Sequence, residues 1–490
     1  MSDVEAELCA LGAIELGRLY RSGHLSPVDM TKATIGRIER LNPVLKAYIT
    51  VLSEEAMAAA RAAEAMFRAG TDLGPLHGVP VSVKDIMKVR GSRTTAASRV
   101  LMDASPDTED ATVVRLLRAG GAVIVGKTNL HEFAFGEPDH DNPFGRVENP
   151  RRIGYHAGAS SSGASAATAA GLGAVALGTD TAGSVRRPAA VCGVVGLKPT
   201  HGRVSCHGVI PVSPEHDDVG PLGRSVLDVA AALTVMAGWD PEDPYSLARP
   251  SEDYVSAASA DPRHLRLGIP TNPEFGFGFP EALQLIQSAG DALIGAGMRR
   301  IDFGFVRLLD VADILHVTLM PVAVWLYHER HRDRRALYGR PFLDWAGLGE
   351  TISGMDVLRA LNAQADFRRE WHSLFERFDV MLLPSNVGPT YPNGDTTIAL
   401  DGVEYPVRRI VSQFNALSNI TGSPSLVVPV GTSANGLPIA VQIVGPLNGE
   451  KNVLAVGRFL EELLGDPVRS WGIEPHIASP AEGSAATAAG

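Results

Sequence analysis

The chain has 490 residues, of which 45% are hydrophobic and 20% are charged, a balance typical of a soluble globular protein. Its net charge of −11 argues against nucleic acid and against an anionic membrane surface as partners. The three cysteines, Cys9, Cys192 and Cys206, provide neither a disulfide framework nor a CxxC metal motif. We expect a cytoplasmic protein, because no apolar run is long enough to span a membrane and the acidic N-terminus differs from a signal peptide.

The first predicted elements are helices, and a strand follows them. Apolar residues recur at helical spacing over residues 11–19, and Ser26 followed by Pro27 is the usual pattern of a helix start. An alanine-rich helix is predicted at about 53–69 and is closed by a glycine. The segment HGVPVSVKDIM then alternates valines with other residues, which predicts a strand that ends near Lys84.

Helices and strands continue to alternate along the chain. TEDATVVRLLRAGG predicts a helix closed by glycine, AVIVGKTN a buried strand, and AATAAGLGAVALGTD a further helix and strand. VMLLPS, PSLVVPVG and GLPIAVQIVGP are typical of core strands. This alternation predicts the α/β class. GAVIVGKT matches the Walker A pattern, but its β-branched residues predict a strand that ends at Gly126 rather than a phosphate loop.

Three segments contain residues suited to catalysis. Lys84 ends a strand, residues 160–162 form a serine triplet in a glycine-containing loop, and Ser184 follows the small residues of GTDTAGS. A serine nucleophile needs a base, and small residues allow backbone N–H groups to converge on an oxyanion. No GxSxG elbow surrounds Ser184, whereas a lysine among apolar strand residues loses its proton readily. Four histidines in ordinary strand or turn contexts are interpreted as structural: His131, His201, His207 and His216.

Together these segments resemble the amidase signature family. The family pattern has a lysine in GVPxxxKD, a GGSSxGS loop and GTDxxGSxRxPAxxCGxxGLKPT, and the last motif reads GTDTAGSVRRPAAVCGVVGLKPT here. The resemblance is clear over about residues 74–223 and thinner at GLPIAVQIVGP. It implies an α/β fold in which one large domain, residues 1–478, has a central twisted mixed β-sheet covered by helices on both faces. Residues 230–380 would shape the substrate pocket, and residues 479–490 would form a flexible tail.

The resemblance implies a Ser–cis-Ser–Lys triad. Ser184 would be the nucleophile, Lys84 the general base, and Ser160 the bridging serine that follows a cis peptide bond from Ala159. Cys192 falls at the CG position of the family, where we expect buried packing. The other implied roles are Ser161 beside Lys84, Asp180 and Arg186 as a pair that braces the loop, and the backbone N–H groups of Thr181, Ala182, Gly183 and Ser184 as the oxyanion hole.

The implied activity is hydrolysis of the C–N bond of an amide through an acyl-enzyme intermediate, without a metal or an organic cofactor. We expect a small or medium neutral amide as substrate, with anilides, esters and carbamates (urethanes) as further candidates. A homodimer is compatible with the sequence, although nothing in the sequence requires one. Candidates for the wall of the leaving-group pocket are the aromatic residues Trp325, Tyr327, Tyr338, Phe342 and Trp345.

Departures from the family pattern leave alternatives open. Ala182 replaces a glycine of TDxGGS, which adds a methyl group near the scissile bond and restricts φ, because alanine avoids positive φ. TDTAGS also resembles the branch that hydrolyses allophanate, so urea derivatives are an alternative substrate class. Another alternative is the glutamine-hydrolysing A subunit of glutamyl-tRNA amidotransferase, although TAGSVRRPA and CHGVIPVSPEHDDVGP differ from the pattern of that protein. The non-enzyme alternative is an inert binding module, which the intact Lys84, Ser160 and Ser184 oppose.

Overall fold

The computed structural model describes residues 3–136, 141–304 and 312–476, and the tail predicted at 479–490 lies outside this part. The described part contains α-helices and β-strands throughout, and we number the strands in chain order. The strands are β1 (Tyr48–Val51), β2 (Pro80–Lys84), β3 (Val123–Thr128), β4 (Glu148–Asn149), β5 (Arg152–His156), β6 (Val175–Asp180), β7 (Val195–Lys198), β8 (Asp218–Gly223), β9 (Arg266–Pro270), β10 (Arg299–Phe303), β11 (Val380–Pro384), β12 (Thr397–Leu400), β13 (Val403–Pro406), β14 (Ser425–Thr432) and β15 (Pro438–Val444).

Eleven of these strands form one sheet in the order β1-β3-β2-β6-β8-β7-β14-β15-β11-β9-β10. The strands are parallel within β3-β2-β6 and within β11-β9-β10, and antiparallel at the other pairings. The strands β4 and β5 form one separate two-stranded sheet, and β12 and β13 form another. The mixed central sheet predicted from the sequence is therefore confirmed.

The helix that begins at Pro27 confirms the start predicted from the sequence. The Ser26 side chain accepts a hydrogen bond from the Val28 N–H, and Pro27 is the first helical residue, as predicted. The α-helices are Asp3–Cys9, Ala13–Arg21, Pro27–Leu45, Ser53–Arg68, Thr112–Ala119, Ser162–Ala169, Arg186–Cys192, Val226–Met236, Tyr254–Ala258, Pro280–Gly295, Met320–His328, Arg340–Ala346, Leu348–Thr351, Gly354–Leu374, Val407–Ile410, Gln413–Thr421, Glu450–Leu463 and Pro467–Ser470. Short 3₁₀ or π turns occupy Glu132–Ala134, Pro273–Gly276, Ile314–Leu319 and Glu329–Leu337.

Both faces of the sheet are covered by helices. Because side chains alternate along a strand, Val175 and Leu177 of β6 enter one apolar core, together with the helix Val226–Met236. Ala176, between them, enters the core on the other face, together with the helix Ser162–Ala169. Fully buried strands of this kind explain why the valine-rich segments are almost continuously apolar.

The Walker-like segment is a strand, as the sequence analysis predicts, but the strand is longer than predicted. β3 continues through Gly126 to Thr128 because Lys127 is satisfied inside the fold, with Nζ 2.7 Å from Asp85 Oδ1. A lysine held by a buried carboxylate cannot reach a nucleotide phosphate. No helix among the described residues combines the length and apolarity needed to cross a membrane.

Candidate active site

Lys84 is the last residue of β2, and its side chain is fully buried. Because β2 lies parallel to β6, the carboxyl ends of both strands meet at the same edge of the sheet. Lys84 Nζ donates to Ser160 Oγ at 2.8 Å, to Ser161 Oγ at 2.9 Å and to Thr179 Oγ1 at 2.9 Å. The structure thus brings Lys84 to both serines that the sequence associates with it. It adds Thr179, which the sequence analysis did not single out.

The environment of Lys84 favours the neutral amine. Burial lowers the pKa of its ammonium group from 10.5 to about 7, because a low dielectric disfavours the charged form. The carboxylates of Asp180 and Asp217 raise the same pKa, but burial has the larger effect. A neutral amine has two N–H donors and one lone pair, so it can donate to two alcohols and accept from a third. Lys84 can therefore act as a base near neutral pH.

The serine triplet lies at the start of the helix Ser162–Ala169. The peptide bond between Ala159 and Ser160 is cis, as the resemblance implies. Ser161 Oγ donates to the backbone carbonyl of Thr179 at 3.2 Å, so it is left to accept from the lysine. The buried Ser162 hydroxyl has no hydrogen-bond partner among the described residues. The three serines therefore have different surroundings, and Ser160 and Ser161 are the two that contact Lys84.

Ser184 lies between β6 and the helix Arg186–Cys192 and is partly exposed. Its backbone carbonyl accepts a hydrogen bond from the Ser161 N–H at 3.2 Å, which joins its loop to the serine triplet. Among the hydrogen bonds of the described residues, none joins the hydroxyls of Ser160 and Ser184. Ser160 is therefore directed towards the lysine, and the Ser184 hydroxyl is left available to a substrate.

The loop before Ser184 has a different set of available donors from the one that the resemblance implies. The Gly183 N–H donates to Asp180 Oδ1 at 2.8 Å, so it is engaged inside the protein and cannot face an oxyanion. Among the described hydrogen bonds, none uses the N–H of Thr181, Ala182 or Ser184. Gly183 has φ of +107°, whereas Ala182 is not among the residues with positive φ, so the alanine is not strained there.

Asp180 and Arg186 form a fully buried pair, with Arg186 Nη2 2.9 Å from Asp180 Oδ1. Burial alone would raise the pKa of Asp180, but the Arg186 guanidinium holds it well below its usual range. Arg186 also donates to Asn419 Oδ1 at 2.6 Å and to Gln442 Oε1 at 3.1 Å. These two partners are 233 and 256 positions away in the sequence, and no motif near Ser184 indicates them. The pair thus anchors the loop to distant strands and helices.

Asp217 is a second buried carboxylate that holds this loop. It accepts a hydrogen bond from the Thr181 hydroxyl at 2.6 Å and from the Val212 N–H at 2.9 Å. Burial raises the pKa of Asp217, and these hydrogen bonds limit the rise. The sequence analysis missed Asp217, which is the first residue of DDVGP and directly precedes β8. The strand β8 pairs with β6, and this pairing brings Asp217 to the loop.

An aromatic cluster lies beyond the serine loop. The His131 N–H donates to the Ser160 carbonyl at 3.3 Å, and the segment that follows carries Phe133. The Phe133 ring lies 4.3 Å from the His328 ring and 5.7 Å from the Phe342 ring, measured between centroids. We define the aromatic wall as Phe133, Phe135, His328, Tyr338, Phe342 and Trp345, whose rings contact one another. Ala182 belongs to the same apolar cluster.

Three of the five aromatic residues singled out in the sequence are therefore members of this wall, and the Tyr327 ring contacts it, 5.1 Å from the His328 ring between centroids. Trp325 and Tyr327 are partly exposed and pack beneath arginines, with guanidinium-to-ring distances of 4.8 Å and 3.9 Å. His328 donates to or accepts from Tyr338 Oη at 2.7 Å, and burial lowers its pKa to about 3. The wall is therefore uncharged near neutral pH.

His216 and Cys192 have surroundings that differ from those of a catalytic base or nucleophile. His216 Nδ1 lies 2.9 Å from the Ser213 hydroxyl and Nε2 lies 3.1 Å from Gln364 Oε1, and burial lowers its pKa to about 4. Cys192 is fully buried, as predicted. In the part of the chain that the structure describes, no group of three or more His, Cys, Asp or Glu side chains could hold a metal ion.

The chain is similar to proteins of one family over nearly its whole length. The Amidase family model matches residues 29–454, well beyond the region in which the three motifs carry the resemblance. The chain is 34% identical to the A subunit of glutamyl-tRNA(Gln) amidotransferase from Geobacter metallireducens, over 93% of this chain and 98% of that protein. The corresponding protein of a Roseiflexus species is 35% identical, over 89% of this chain and 92% of that protein.

Solved structures show the same fold at lower identity. One is a protein of a vestigial complex that reveals the origins of an s-triazine catabolic enzyme, with a TM-score of 0.87, 28% identity, and 92% and 98% of the two chains covered. A bacterial aryl acylamidase has a TM-score of 0.86 at 26% identity, with 95% and 99% covered. The chain therefore belongs to the amidase signature family and is an enzyme that acts on carbon–nitrogen amide bonds.

Proposed function

We propose that the enzyme hydrolyses amides with Ser184 as nucleophile, Ser160 as proton carrier and Lys84 as general base. The observation that carries this proposal is the fully buried Lys84 amine, which is hydrogen-bonded to the Ser160 hydroxyl and has a pKa near neutrality. An alcohol becomes a nucleophile only when a base takes its proton in the transition state. Lys84 is placed to take that proton through Ser160, because its other two contacts are alcohols that accept from it.

The reaction then has two halves. Lys84 takes the Ser160 proton while Ser160 takes the Ser184 proton, and Ser184 Oγ bonds to the carbonyl carbon. The N–H groups of Thr181, Ala182 and Ser184 stabilise the oxyanion, and each such donor is worth about 10²–10³ in rate. The relay returns the proton to the leaving nitrogen, the C–N bond breaks, and an acyl-enzyme remains. Water then attacks by the same relay and releases the acid.

The sequence relatives and the aromatic wall favour different substrates. The relatives named as amidotransferase A subunits favour glutamine hydrolysis, and their 34–35% identity covers nearly the whole chain. This weighs more than the loop differences TAGSVRRPA and CHGVIPVSPEHDDVGP, so we place glutamine first among the candidate substrates. The wall of uncharged aromatic rings favours a neutral organic amide or anilide, which is our second candidate. Carbamates, esters and urea derivatives remain further candidates.

The catalytic assignment is tested by covalent labelling. A fluorophosphonate reacts with an activated serine, so the wild type is expected to gain mass at Ser184. Lys84→Met removes the base while filling the same buried space, and this variant is expected to stay unlabelled. Lys88→Met, at a partly exposed lysine four positions along, is the matched control and should label like the wild type. Labelling of Lys84→Met at the wild-type rate would remove the lysine from its role.

The substrate is tested by product measurement. Ammonia release from glutamine is measured for the chain alone and with the partner subunits of a bacterial amidotransferase added. The same preparations are assayed with an aliphatic amide, an anilide, an ester, a carbamate and allophanate, ranked by kcat/KM. If glutamine ranks first, the first candidate is supported. If an anilide ranks first and the added proteins change nothing, the neutral-amide candidate replaces it.

A further inference from the structure

A cavity of about 180 Å³ lies next to Thr179, and we call it the rear cavity. Its apolar lining comes from residues such as Ile86 and Val209, and its polar lining includes Asp217 and the partly exposed Cys206. The titratable groups that line it are His201, Cys206, His207, Asp217, Glu242, Asp243 and Tyr245. None of these residues belongs to the aromatic wall, although Ile86 and Val212 line the cavity and also belong to the apolar cluster that contains the wall.

The rear cavity is large enough to contain water, and its mostly apolar lining includes several polar groups that water can bind. A water molecule needs about 10–15 Å³ of accessible volume and two to four polar partners, so this cavity has room for several waters. Hydroxyl, carboxylate and imidazole groups are all present in its lining. A chain of such waters can carry protons between hydrogen-bonded groups.

Thr179 connects the rear cavity to the base. Its hydroxyl accepts a hydrogen bond from Lys84 Nζ at 2.9 Å, and the same residue lines the cavity. Lys84 has no exposed surface, and its other two contacts are Ser160 and Ser161. The charged groups that act on Lys84 are the carboxylates of Asp180 and Asp217. Thr179 is therefore the contact through which Lys84 meets the cavity.

After each hydrolysis Lys84 holds an extra proton, which it must release before the next reaction. The second half-reaction forms a carboxylic acid, whose ordinary pKa of about 4 lies far below that of the lysine. The acid R–COOH therefore transfers its proton to the neutral amine, giving R–COO⁻ and the Lys84 ammonium ion. The ammonium ion cannot accept another proton, so it must pass one to a solvent base before the next acylation.

We propose that the rear cavity is a water-filled port through which Lys84 returns this proton to solvent, with the Thr179 hydroxyl as its first link. The ammonium group donates to Thr179 Oγ1, and Thr179 gives its own hydroxyl proton to a cavity water. A buffer base or hydroxide in solvent takes the proton from that water. The port works while the carboxylate product still occupies the front of the site. This inference rests on the proposed triad and adds a route that the triad itself does not contain.

The test counts both products during the first and later turnovers. Wild type, Thr179→Val and Thr179→Ser are equilibrated at about pH 8, where most of Lys84 is neutral, and are mixed by rapid quench with the best substrate of the panel. In Thr179→Val, which releases one amine and one acid per enzyme in the first turnover, later turnovers should be about tenfold slower than the first turnover of the same variant, because proton transfer by the remaining routes is poorer. Thr179→Ser keeps the hydroxyl and should restore the later turnovers.

Modification of Cys206 gives an independent test that leaves Thr179 in place. Burial and nearby carboxylates raise the pKa of this thiol well above its usual range, so labelling with benzyl methanethiosulfonate is done at alkaline pH and checked by mass. The benzyl group should fill the rear cavity. The labelled enzyme should then release one amine and one acid per enzyme and become slower in later turnovers. Cys206→Ser treated with the same reagent is the matched control, since Cys9 and Cys192 are buried.

Each other outcome overturns the inference. Equal slowing of the first and later turnovers in Thr179→Val would mean that the hydroxyl only positions Lys84. A burst of amine without acid would place the slow step in deacylation. Unchanged steady-state turnover after benzyl labelling would exclude the cavity. Failure of the triad itself looks different, because the wild type would then form no product at all, or Lys84→Met would retain activity.

Discussion

The region from β2 to β8 and the helical region from Ile314 to Leu374 are stabilised in different ways. In the first region the polar groups of the site are buried and hydrogen-bonded, and Lys84, Asp180 and Arg186 each have several hydrogen-bond partners. In the second region, rings pack against rings at centroid distances such as 4.8 Å between Tyr338 and Phe342. Hydrogen bonds fix geometry closely, whereas apolar packing tolerates changes of shape. We therefore predict that the first region carries out the chemistry and that the rings of the second region select the substrate.

The largest expected effect comes from the nucleophile. Ser184→Ala should lower kcat by about 10⁴-fold or more for every substrate, because the covalent step is lost. Thermal unfolding should stay close to wild type, since the side chain is partly exposed and small. Ser162→Ala, which removes a hydroxyl without a described partner, is the control and should stay near wild-type activity. Residual activity of Ser184→Ala within tenfold of wild type would mean that Ser184 is not the nucleophile.

A methyl group at Gly183 should have the next largest effect. Its Cβ would lie 2.6 Å from Asn415 Cβ, and φ of +107° disfavours any side chain. The loop must shift, so Gly183→Ala should lower kcat/KM by about 10²-fold, comparable to the loss of one oxyanion donor. Because the defect lies in the chemical region, the loss should be similar for small and bulky amides. A loss confined to bulky amides would instead assign this loop to substrate selection.

The next effect in size should be the dependence of activity on pH, which the protonation of Lys84 controls. Activity should rise about tenfold per pH unit below about pH 7 and level off above it, as the amine becomes neutral. A profile that is flat across this range would argue against a lysine base.

Stability provides a second measurement of the same group. The folded pKa of about 7 lies below the unfolded value of 10.5, so between them the unfolded chain binds more protons at Lys84. The free energy of unfolding should therefore rise with pH from about 7 towards 10, and be lower below 7. Lys84→Met should lack this rise. Chemical denaturation at several pH values, with the two proteins compared, measures the difference.

The smallest effects should come from the selection region. Phe342→Leu should lower kcat/KM for anilides relative to acetamide-like substrates by about tenfold, because part of an apolar wall is lost. Ala182→Gly should change the ratio of bulky to small acyl groups by less, since one methyl group is removed and φ is not strained. A panel of paired substrates measures both ratios. If either variant lowers kcat/KM equally for all substrates, the substituted residue does not select the substrate, and the proposed separation of catalysis and selection is wrong.

Much of the fold is predictable from local sequence, because the signals are local. Ser26 at the helix start and the end of β2 at Lys84 follow from capping and strand alternation. The cis bond and the contact of Lys84 with Ser160 agree with the family resemblance. The contributions of Asn419 and Gln442 could not be found in this way, because hydrogen bonds across more than 200 positions leave no local pattern. The engagement of the Gly183 N–H likewise depends on where Asp180 points.

The reach of Arg186 to Asn419 and Gln442 has a consequence for biosynthesis. While the ribosome is still adding the last third of the polypeptide, Asn419 and Gln442 are not yet part of the folded chain. The Arg186 guanidinium then lacks two of its hydrogen-bond acceptors. A nascent chain that already contains the nucleophile, its carrier and its base is therefore not yet a finished enzyme. We therefore expect the ability to cleave amides to arise only when β15, which carries Gln442, is in place.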